Sequence, residues 1–433
     1  MSLRVKRSNL QTFEIASLEA LFAMTDKENI MKTRILILII ISIALNLIAQ
    51  DKFDMEQIQS IIEEVKIKFA PDKRTAIFDV AVENLSADRH DENGSLILKG
   101  ETNLPEAKDE LLQKLNEYKI SDQIENLPEA ELEDKTYGII NLSVANLRTK
   151  PEHDQEMGTQ ALLGTPLKVY KKEKGWYLVQ TPDEYISWVD GTGLFKVNYD
   201  SLTEWLNSDK IIYTNDFGFS YSAPDENSER VSDLVIGDLL KYSGEEKGFC
   251  KVTYPDGKAG YIKSDECKPF NEWLKKVNPT AENIIKTAKS FMGIPYLWGG
   301  TSIKGMDCSG FTKMAFYLNG VVLPRDASQQ VHTGEPVDTE ERLENLQPGD
   351  LLFFGRKGSD SNKERITHVA IYLGDGDYIH ASGKVRINSF AKDKPNYNAY
   401  RDDSFVRAKR VLNSIDTNGV TTILNNKFYN EKE

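Results

Sequence analysis

The chain has 433 residues, with 67 acidic against 54 basic side chains and a formal net charge of −13. This length allows about three domains. The acidic balance argues against nucleic acid as the main partner, because phosphate binding requires basic surface. We therefore expect a soluble protein of several domains.

The first apolar feature is the segment MKTRILILIIISIALNLIAQ at residues 31–50, where a short basic end precedes an apolar run. This pattern is typical of a signal peptide, and the run is short for a permanent membrane span. An uncleaved anchor is the alternative. Residues 1–30 would place the signal inside the chain, so we interpret them as an over-assigned start. We expect an exported protein, periplasmic or extracellular, with no stable membrane insertion after signal removal.

Residues 51–135 predict a small accessory α/β domain, to which the sequence assigns no chemistry. The segment EQIQSIIEEVKIKF has Ile58, Ile61, Ile62 and Val65 on one helical face. The segments AIFDVAVENL and SLILKGET are typical of strands, and Pro105 begins an amphipathic helix.

An internal repeat follows the accessory domain. Pro151 and Trp188 recur 73 residues later as Pro224 and Tyr261, and several glycine, Lys-Gly-aromatic and Pro-Asp positions match in the same ungapped register. Such self-similarity indicates duplicated domains. Each copy contains short β segments broken by turn residues, which predicts two small β-barrels at residues 137–200 and 210–272.

The cysteine content leaves at least one thiol unpaired, because the chain has three cysteines. Cys250 and Cys267 are candidates for a disulfide that would leave Cys308 free. The sequence does not fix this pairing.

Cys308 lies in GGTSIKGMDCSGF, between a glycine-rich loop and an amphipathic helix. Asp307 is a favourable N-cap residue, so Cys308 would lie in the first turn, where free backbone N–H groups and the helix dipole favour a thiolate. The sequence therefore predicts an exposed thiol with a lowered pKa, which is a candidate nucleophile. A small buried structural thiol is the alternative.

Two histidines lie in THVAIYLGDGDYIHAS, which predicts a hairpin at residues 367–382. A two-residue turn alone would send His368 and His380 to opposite faces, whereas a three-residue turn, a five-residue turn or a bulge brings them to one face. We expect a shared face, with His368 as general base and His380 as the group that orients it. A zinc site from the same histidines and Cys308 is the rival interpretation, although no close ligand pair supports it.

The motifs PYLWGGTSIKGMDCSGFTKMAFYLNGVVLPRDASQQ, LQPGDLLFF, THVAIYLG and YIHAS occur in this order and resemble the NlpC-type cell-wall cysteine peptidases. The two repeats resemble bacterial SH3-like domains, as in the γ-D-glutamyl-L-diamino acid endopeptidase subgroup. The resemblance implies a papain-like α+β peptidase domain at residues 280–413, which follows the two SH3-like barrels in the chain. Residues 414–433 are then a C-terminal tail.

The resemblance also implies the chemistry. Cys308 is the nucleophile, His368 the base and His380 the orienting third residue, while Tyr296 of PYLWGG stabilises the oxyanion. The implied reaction hydrolyses, through a thioester, the γ-D-glutamyl–diamino acid bond of peptidoglycan stem peptides of the form L-Ala-γ-D-Glu-diamino acid. No metal and no cofactor is implied.

The substrate-binding residues are implied in the same way. Asp307 and Ser309 flank the nucleophile and contact the substrate, and Ser328 of LPRDASQQ lines the substrate-carboxylate side or belongs to a helix start. In the subgroup the first SH3-like domain closes one end of the cleft, so that a free L-alanine amine is required. Tyr185 and Glu156 are the candidates that bind this amine.

The repeat bears on these two candidates. Tyr185 has Lys258 at the equivalent position of the second copy, so the barrel does not require a tyrosine there. Glu156 has Glu229, so an acidic residue at this position is also consistent with a feature of the barrel.

Two other functions stay open at this point. One is a non-catalytic wall-binding protein, against which the intact Cys308, His368 and His380 argue. The other is a thiol acyltransferase or amidase on the same core, because several nucleophiles can attack one thioester. The sequence does not distinguish diaminopimelate from lysine as the leaving residue.

Overall fold

A computed structural model describes residues 27–82, 96–341, 343–359, 362–417 and 419–430. Most of the segment interpreted as an over-assigned start lies outside these residues. The chain divides into two compact units, one up to Leu127 and one from Pro128 onwards. Each is described by itself.

The first unit has mixed α and β structure. It contains α1 (Lys27–Phe69), β1 (Phe78–Val82), β2 (Leu96–Thr102), α2 (Pro105–Lys114) and β3 (Ile120–Asn126). The sheet order is β1-β2-β3, with β1 antiparallel and β3 parallel to β2. The predicted helical face is confirmed, because Ile58, Ile62 and Val65 are fully buried or nearly so.

The predicted signal segment and the start of the accessory domain lie in the single helix α1. Exposed side chains between residues 35 and 45 include Leu36, Leu38 and Leu45, so this stretch does not contribute to the core of the unit. No helix in the described part of the chain is both long and apolar enough to cross a membrane.

The second unit begins with the two barrels. The first contains a 3-10 turn (Ala130–Leu132), β4 (Tyr137–Ile140), β5 (Val144–Arg148), β6 (Met157–Leu162), β7 (Pro166–Glu173), β8 (Trp176–Gln180), β9 (Ile186–Asp190), a 3-10 turn (Gly191–Gly193), β10 (Leu194–Val197) and α3 (Tyr199–Asn207). The second contains β11 (Lys210–Tyr213), β12 (Phe217–Tyr221), β13 (Arg230–Val235), β14 (Leu239–Glu246), β15 (Phe249–Thr253), β16 (Ala259–Lys263), a 3-10 turn (Ser264–Glu266), β17 (Cys267–Pro269) and α4 (Phe270–Lys276). The strands that begin at residues 137 and 210 open the two copies, and the next six strands keep this step of 73 residues. The predicted duplication is confirmed strand by strand.

One turn position of the repeat is used differently in the two barrels. Gly164 of the first barrel has φ +80°, and a Cβ there would lie 2.4 Å from the carbonyl oxygen of Leu239 in the second barrel. Its counterpart Gly237 has φ +97°, and a Cβ there would meet Leu162 at 2.8 Å and Tyr317 at 3.2 Å. Glycine thus allows the first barrel to approach the second, and the second to approach the helix that contains Tyr317.

The C-terminal part of the second unit is an α+β domain. It contains α5 (Ala281–Ser290), β18 (Thr301–Ser302), β19 (Gly305–Met306), α6 (Cys308–Tyr317), β20 (Val321–Val322), α7 (Ala327–Gln330), β21 (Glu335–Val337), β22 (Leu351–Arg356), β23 (Arg365–Gly374), β24 (Asp377–Ser382), β25 (Lys384–Ser389), α8 (Ala399–Asp403), β26 (Phe405–Arg410) and β27 (Thr421–Thr422). The antiparallel sheet has the order β21-β26-β22-β23-β24-β25, and α6 packs against β23 and β24.

The described residues of the predicted C-terminal tail are packed rather than loose. β27 pairs with β20, and Val420, Ile423 and Phe428 are buried. Asn426 donates a hydrogen bond to the Pro182 carbonyl oxygen at 2.9 Å, so this segment joins the peptidase domain to the first barrel. Three apolar anchors in a polar stretch lack a regular period, which is why the sequence did not predict the packing.

Cys250 and Cys267 are both free thiols, buried in the second barrel. Their sulfur atoms lie 3.2 Å apart, and the Cys267 thiol donates to the Cys250 sulfur. This hydrogen bond lowers the pKa of the Cys250 thiol.

Candidate active site

Asp307 caps the helix that begins with Cys308, as predicted. Its Oδ1 accepts a hydrogen bond from the Gly310 backbone N–H at 2.7 Å. A Cβ at Gly310 would lie 2.0 Å from the Gly300 carbonyl oxygen, so the glycine loop packs directly on the first turn of α6. Capping and the absence of a side chain at Gly310 together hold Cys308 at the helix start.

The prediction of an exposed thiol with a lowered pKa is wrong for this structure. Cys308 is only 6% exposed, and burial raises its pKa to about 11, with a further contribution from the negative charge of Asp307. Backbone N–H groups of Val369 and Ser309 act in the opposite direction on this pKa. Sequence reasoning identified the helix start but did not include the neighbouring strand that removes the thiol from water.

The two histidines lie on one face of the β23–β24 hairpin, as predicted. His368 Nε2 and His380 Nδ1 are 2.7 Å apart, and the rings are nearly perpendicular. The pairs Ile371–Ile379 and Gly374–Asp377 differ in register by one residue, with a bulge between Tyr372 and Gly374. Of the three possibilities, a three-residue turn, a five-residue turn or a bulge, the structure has the bulge, and it brings the imidazoles to one face.

A third side chain, Asn388 on β25, fixes the tautomers of both histidines. Its Nδ2 donates to the Asn396 carbonyl oxygen at 2.9 Å, so its Oδ1 faces His380 Nε2, also at 2.9 Å. His380 Nε2 must then be the donor, which leaves Nδ1 to accept a hydrogen bond from the His368 Nε2–H. The Nδ1 of His368 consequently has a free lone pair and is the basic atom.

Both imidazoles are neutral in the resting protein. Burial lowers the pKa of His380 to about 4, and burial lowers the pKa of His368 well below its ordinary range. The positive charges of Arg401 and Arg386 lower the pKa of both rings further. Since the thiol is also neutral, the resting pair is thiol and imidazole rather than thiolate and imidazolium.

We expect the Asn388→Ala variant to lose about 10- to 100-fold in kcat while remaining folded, because His380 loses the acceptor that fixes its tautomer. Steady-state kinetics beside circular dichroism would measure this. The matched control is Asn413→Ala, an exposed asparagine that bonds to Glu335. If the two variants have equal kcat, Asn388 does not orient the histidines.

We expect the free energy of unfolding to fall as the pH decreases from about 6.5 to about 4. In this window the unfolded chain protonates His380 and the native protein does not, so acid favours unfolding. The contribution of this one group is roughly 3 kcal/mol, present above pH 6.5 and lost towards pH 4. Urea unfolding at several pH values would measure it, with His380→Gln expected to flatten the slope. The exposed His153→Gln should keep the wild-type slope.

Tyr296 lies between the glycine loop and the end of β24. Its backbone N–H donates to the Gly383 carbonyl oxygen at 2.9 Å. Burial raises the pKa of the Tyr296 hydroxyl, and the negative charge of Asp307 raises it further. The hydroxyl therefore stays protonated, as a donor to an oxyanion must.

Asp307 and Ser309, predicted to contact the substrate, form a buried cluster with Arg325. The guanidinium donates to Asp307 Oδ2 at 2.6 Å, to Asp307 Oδ1 at 3.1 Å and to the Ser309 hydroxyl at 3.0 Å. A fourth bond runs to Thr159 of the first barrel at 2.9 Å. Arg325 lies within LPRDASQQ, but the sequence predicts no role for it, because its partners lie far along the chain.

The first barrel docks directly on the loop before the nucleophile. Thr301 donates from its backbone N–H to Gln160 Oε1 and from its hydroxyl to the Gln160 carbonyl oxygen, both at 2.9 Å. Gly299 has φ +78°, and a Cβ there would lie 2.2 Å from the Met157 carbonyl oxygen. The absence of a side chain at Gly299 thus allows this loop to approach β6 closely.

Glu156 and Tyr185, the two candidates for amine binding, lie on the side of the barrel that meets this loop. Glu156 directly precedes β6 and accepts a hydrogen bond from the exposed Trp298 Nε1 at 2.8 Å. Tyr185 is buried, and its ring would lie 3.3 Å from a Cβ at Gly158 of β6. The fold thus places both at the same edge of the peptidase domain.

Ser328 is half-buried in the short helix α7. Asp326 at the start of α7 forms a capping box with Gln329, so the helix-start role considered for this segment is confirmed for Asp326. The zinc interpretation would need free ring nitrogens on His368 and His380. The two nitrogens that face each other are instead joined by a hydrogen bond. Within the described residues, no group of three or more His, Cys, Asp or Glu side chains could hold a metal ion.

Known proteins are similar to this chain over more than half of its length. The chain is 31% identical over 234 residues to gamma-D-glutamyl-L-lysine dipeptidyl-peptidase of Bacillus cereus, covering 52% of this chain and 67% of the relative. It is 31% identical over 270 residues to dipeptidyl-peptidase 6 of Lysinibacillus sphaericus, covering 60% of this chain and 93% of the relative. A crystal structure of an NlpC/P60 family protein from Bacillus cereus aligns with 64% of this chain and 99% of its own length, at 26% identity and a TM-score of 0.53.

The fold, the thiol at the helix start and these similarities define a hydrolase of the cysteine peptidase class. The model of the NlpC/P60 family matches residues 293–406, and that of the bacterial dipeptidyl-peptidase Sh3 domain matches residues 147–194. The chain belongs to the NlpC/P60 family.

Proposed function

We propose that this protein hydrolyses the γ-D-glutamyl–diamino acid bond of peptidoglycan stem peptides that have a free N-terminal L-alanine. The hydrogen-bonded chain from His368 through His380 to Asn388 carries the proposal, together with the backbone N–H of Val369, the residue next to His368, which donates to the Cys308 thiol. The names of the Bacillus cereus relative and of a Bacillus subtilis relative, both gamma-D-glutamyl-L-lysine dipeptidyl-peptidases, support the same bond.

The attack step follows from the neutral resting pair. Nδ1 of His368 takes the proton of the Cys308 thiol as the sulfur attacks the γ-carbonyl carbon of D-glutamate. Because burial raises the pKa of this thiol, we expect proton transfer to accompany the attack. His380 accepts the hydrogen bond from His368 Nε2 and stabilises the imidazolium that forms.

Breakdown of the intermediate uses the same groups. The Tyr296 hydroxyl donates a hydrogen bond to the oxyanion, and His368 returns its proton to the leaving amine of the diamino acid. A thioester between Cys308 and the γ-carboxyl carbon of D-glutamate remains. Water, deprotonated by His368, then hydrolyses the thioester and regenerates the thiol.

The docked first barrel supports a requirement for a free amine. Glu156 supplies a carboxylate and Tyr185 a hydroxyl at the edge where the barrel meets the loop of Trp298. A carboxylate binds an ammonium through charge-assisted hydrogen bonds, and an acetylated amine offers no such charge. Peptidoglycan peptides occur outside the cytoplasm, which agrees with an exported enzyme that acts in the periplasm or the medium.

The test compares L-Ala-γ-D-Glu-diaminopimelate with its N-acetylated form, with products identified by mass spectrometry. Release of the diamino acid from the free-amine peptide alone supports the proposal. Glu156→Gln and Tyr185→Phe should lower kcat/KM for this peptide, whereas Glu152→Gln, an exposed carboxylate on the same barrel, should not.

Three other results would contradict parts of the proposal. Equal cleavage of the acetylated peptide would remove Glu156 and Tyr185 as amine-binding residues. Transfer of L-Ala-γ-D-Glu to an added amine, faster than to water, would identify an acyltransferase. Binding of either peptide without any product would indicate a wall-binding protein.

A further inference from the structure

Two arginines lie beside the histidine pair without an assigned role. Arg386 on β25 is directly opposite His380 on β24, so both side chains project from the same face of the sheet. The Nε atom of Arg386 is buried without a hydrogen-bond partner in the described structure. One terminal nitrogen of the group reaches the Ser382 hydroxyl only at 3.5 Å. Arg386 therefore has hydrogen-bonding capacity that the protein itself does not use.

Arg401 on α8 approaches the same place from another element. Its guanidinium carbon lies 5.7 Å from the centre of the Phe354 ring. The Phe354 ring centre in turn lies 5.7 Å from that of His368, its direct partner across β22 and β23. The guanidinium therefore lies over the ring that packs against His368, and its positive charge lowers the pKa of both histidines.

Neither guanidinium has a carboxylate partner among the residues that the structure describes. By contrast, Arg325, Arg407 and Arg410 form ion pairs with acidic side chains. Removing a guanidinium from water without a counter-ion is unfavourable, and burial accordingly lowers the pKa of Arg401. Two such groups next to the histidine pair provide a binding site for an anionic group of the substrate.

The position of the arginines in the cleft indicates which part of the substrate they meet. The first barrel contacts the loop before the nucleophile, and there we placed the L-alanine amine. The arginines instead belong to β25 and α8, next to the imidazoles. Since His368 protonates the leaving amine, groups beside the imidazoles are near the residue that leaves.

We propose that Arg386 and Arg401 bind the side-chain carboxylate of a leaving diaminopimelate residue and thereby select diaminopimelate over lysine. Lysine lacks this carboxylate and ends in an ammonium group, which the two positive charges repel. This inference rests on the proposed function, and it differs from the lysine named in the relatives.

The experiment measures kcat/KM for L-Ala-γ-D-Glu-meso-diaminopimelate and for L-Ala-γ-D-Glu-L-Lys with wild type, Arg386→Met and Arg401→Met. We expect wild type to prefer the diaminopimelate peptide by roughly ten-fold or more. Each methionine variant should lose most of this preference, through a much larger fall for the diaminopimelate peptide than for the lysine peptide. Arg401→Lys should retain part of the preference, and Arg407→Met, whose exposed arginine pairs with Glu364, should retain all of it.

Each other outcome is informative. Equal wild-type rates for both peptides, or an equal loss for both in the variants, would overturn the inference and keep the proposed function. The equal loss would identify the D-glutamate carboxylate, which both peptides share, as the bound group. If wild type cleaves neither peptide, the proposed function itself fails. Melting curves exclude unfolding as the cause of any loss.

Discussion

Replacing Cys308 with alanine is expected to lower kcat for L-Ala-γ-D-Glu-diaminopimelate by at least about 10⁴-fold, because no other group at the site can form the thioester. The side chain is small and buried beside the glycine loop, so the variant should fold. Mass spectrometry of the wild type, stopped within one turnover, should find the L-Ala-γ-D-Glu adduct on Cys308.

The matched control is Cys250→Ser, which changes a buried thiol in the second barrel and should keep kcat within a few-fold. Residual activity of Cys308→Ala above one hundredth of wild type would mean that water attacks the amide directly. An adduct on Cys250 or Cys267 would exclude Cys308 as the nucleophile.

The second large effect is expected for Arg325→Met. The arginine is 1% exposed, and its loss leaves the Asp307 carboxylate buried with only backbone N–H and Ser309 hydroxyl donors. Breaking a buried ion pair in this way costs about 3–5 kcal/mol in the free energy of unfolding. Because the same guanidinium bonds Thr159, the variant should also loosen the first barrel and raise KM for the free-amine peptide.

Urea unfolding would measure the loss, with Arg407→Met as the control for an exposed pair, expected at about 1 kcal/mol or less. The double variant Arg325→Met, Asp307→Asn should recover part of the stability, since the unpaired charge is removed. A single variant as stable as wild type would show that the cluster with Asp307 and Ser309 does not stabilise the fold.

The hairpin illustrates what the sequence can predict about this site. Alternation along β23 and β24 limits the possible registers to a few, and a shared face for His368 and His380 requires one of three devices. Which device occurs depends on local backbone energies at Gly374 and Asp375, the second of which adopts φ +51°. Periodicity does not contain that information, so the bulge became known only from the structure.

Three parts of the site depended on tertiary contacts and were missed for that reason. Asn388 is eight residues from His380, and only the β24–β25 pairing brings its amide to the imidazole. Arg325 has partners in α6 and in the first barrel. The pKa of Cys308 followed burial and the charge of Asp307, two quantities that a helix-start argument does not include.

The duplicated turn at Gly164 and Gly237 has a consequence for dissecting the enzyme. The first glycine seats one barrel on the other, while the second seats its barrel on Tyr317 of the helix that begins with Cys308. A fragment cut at residue 280 would expose that tyrosine, lose the Gln160 partner of Thr301 and lose the Thr159 partner of Arg325. The peptidase domain should therefore not be studied as an isolated fragment, and measurements of its activity should use a protein that retains both barrels.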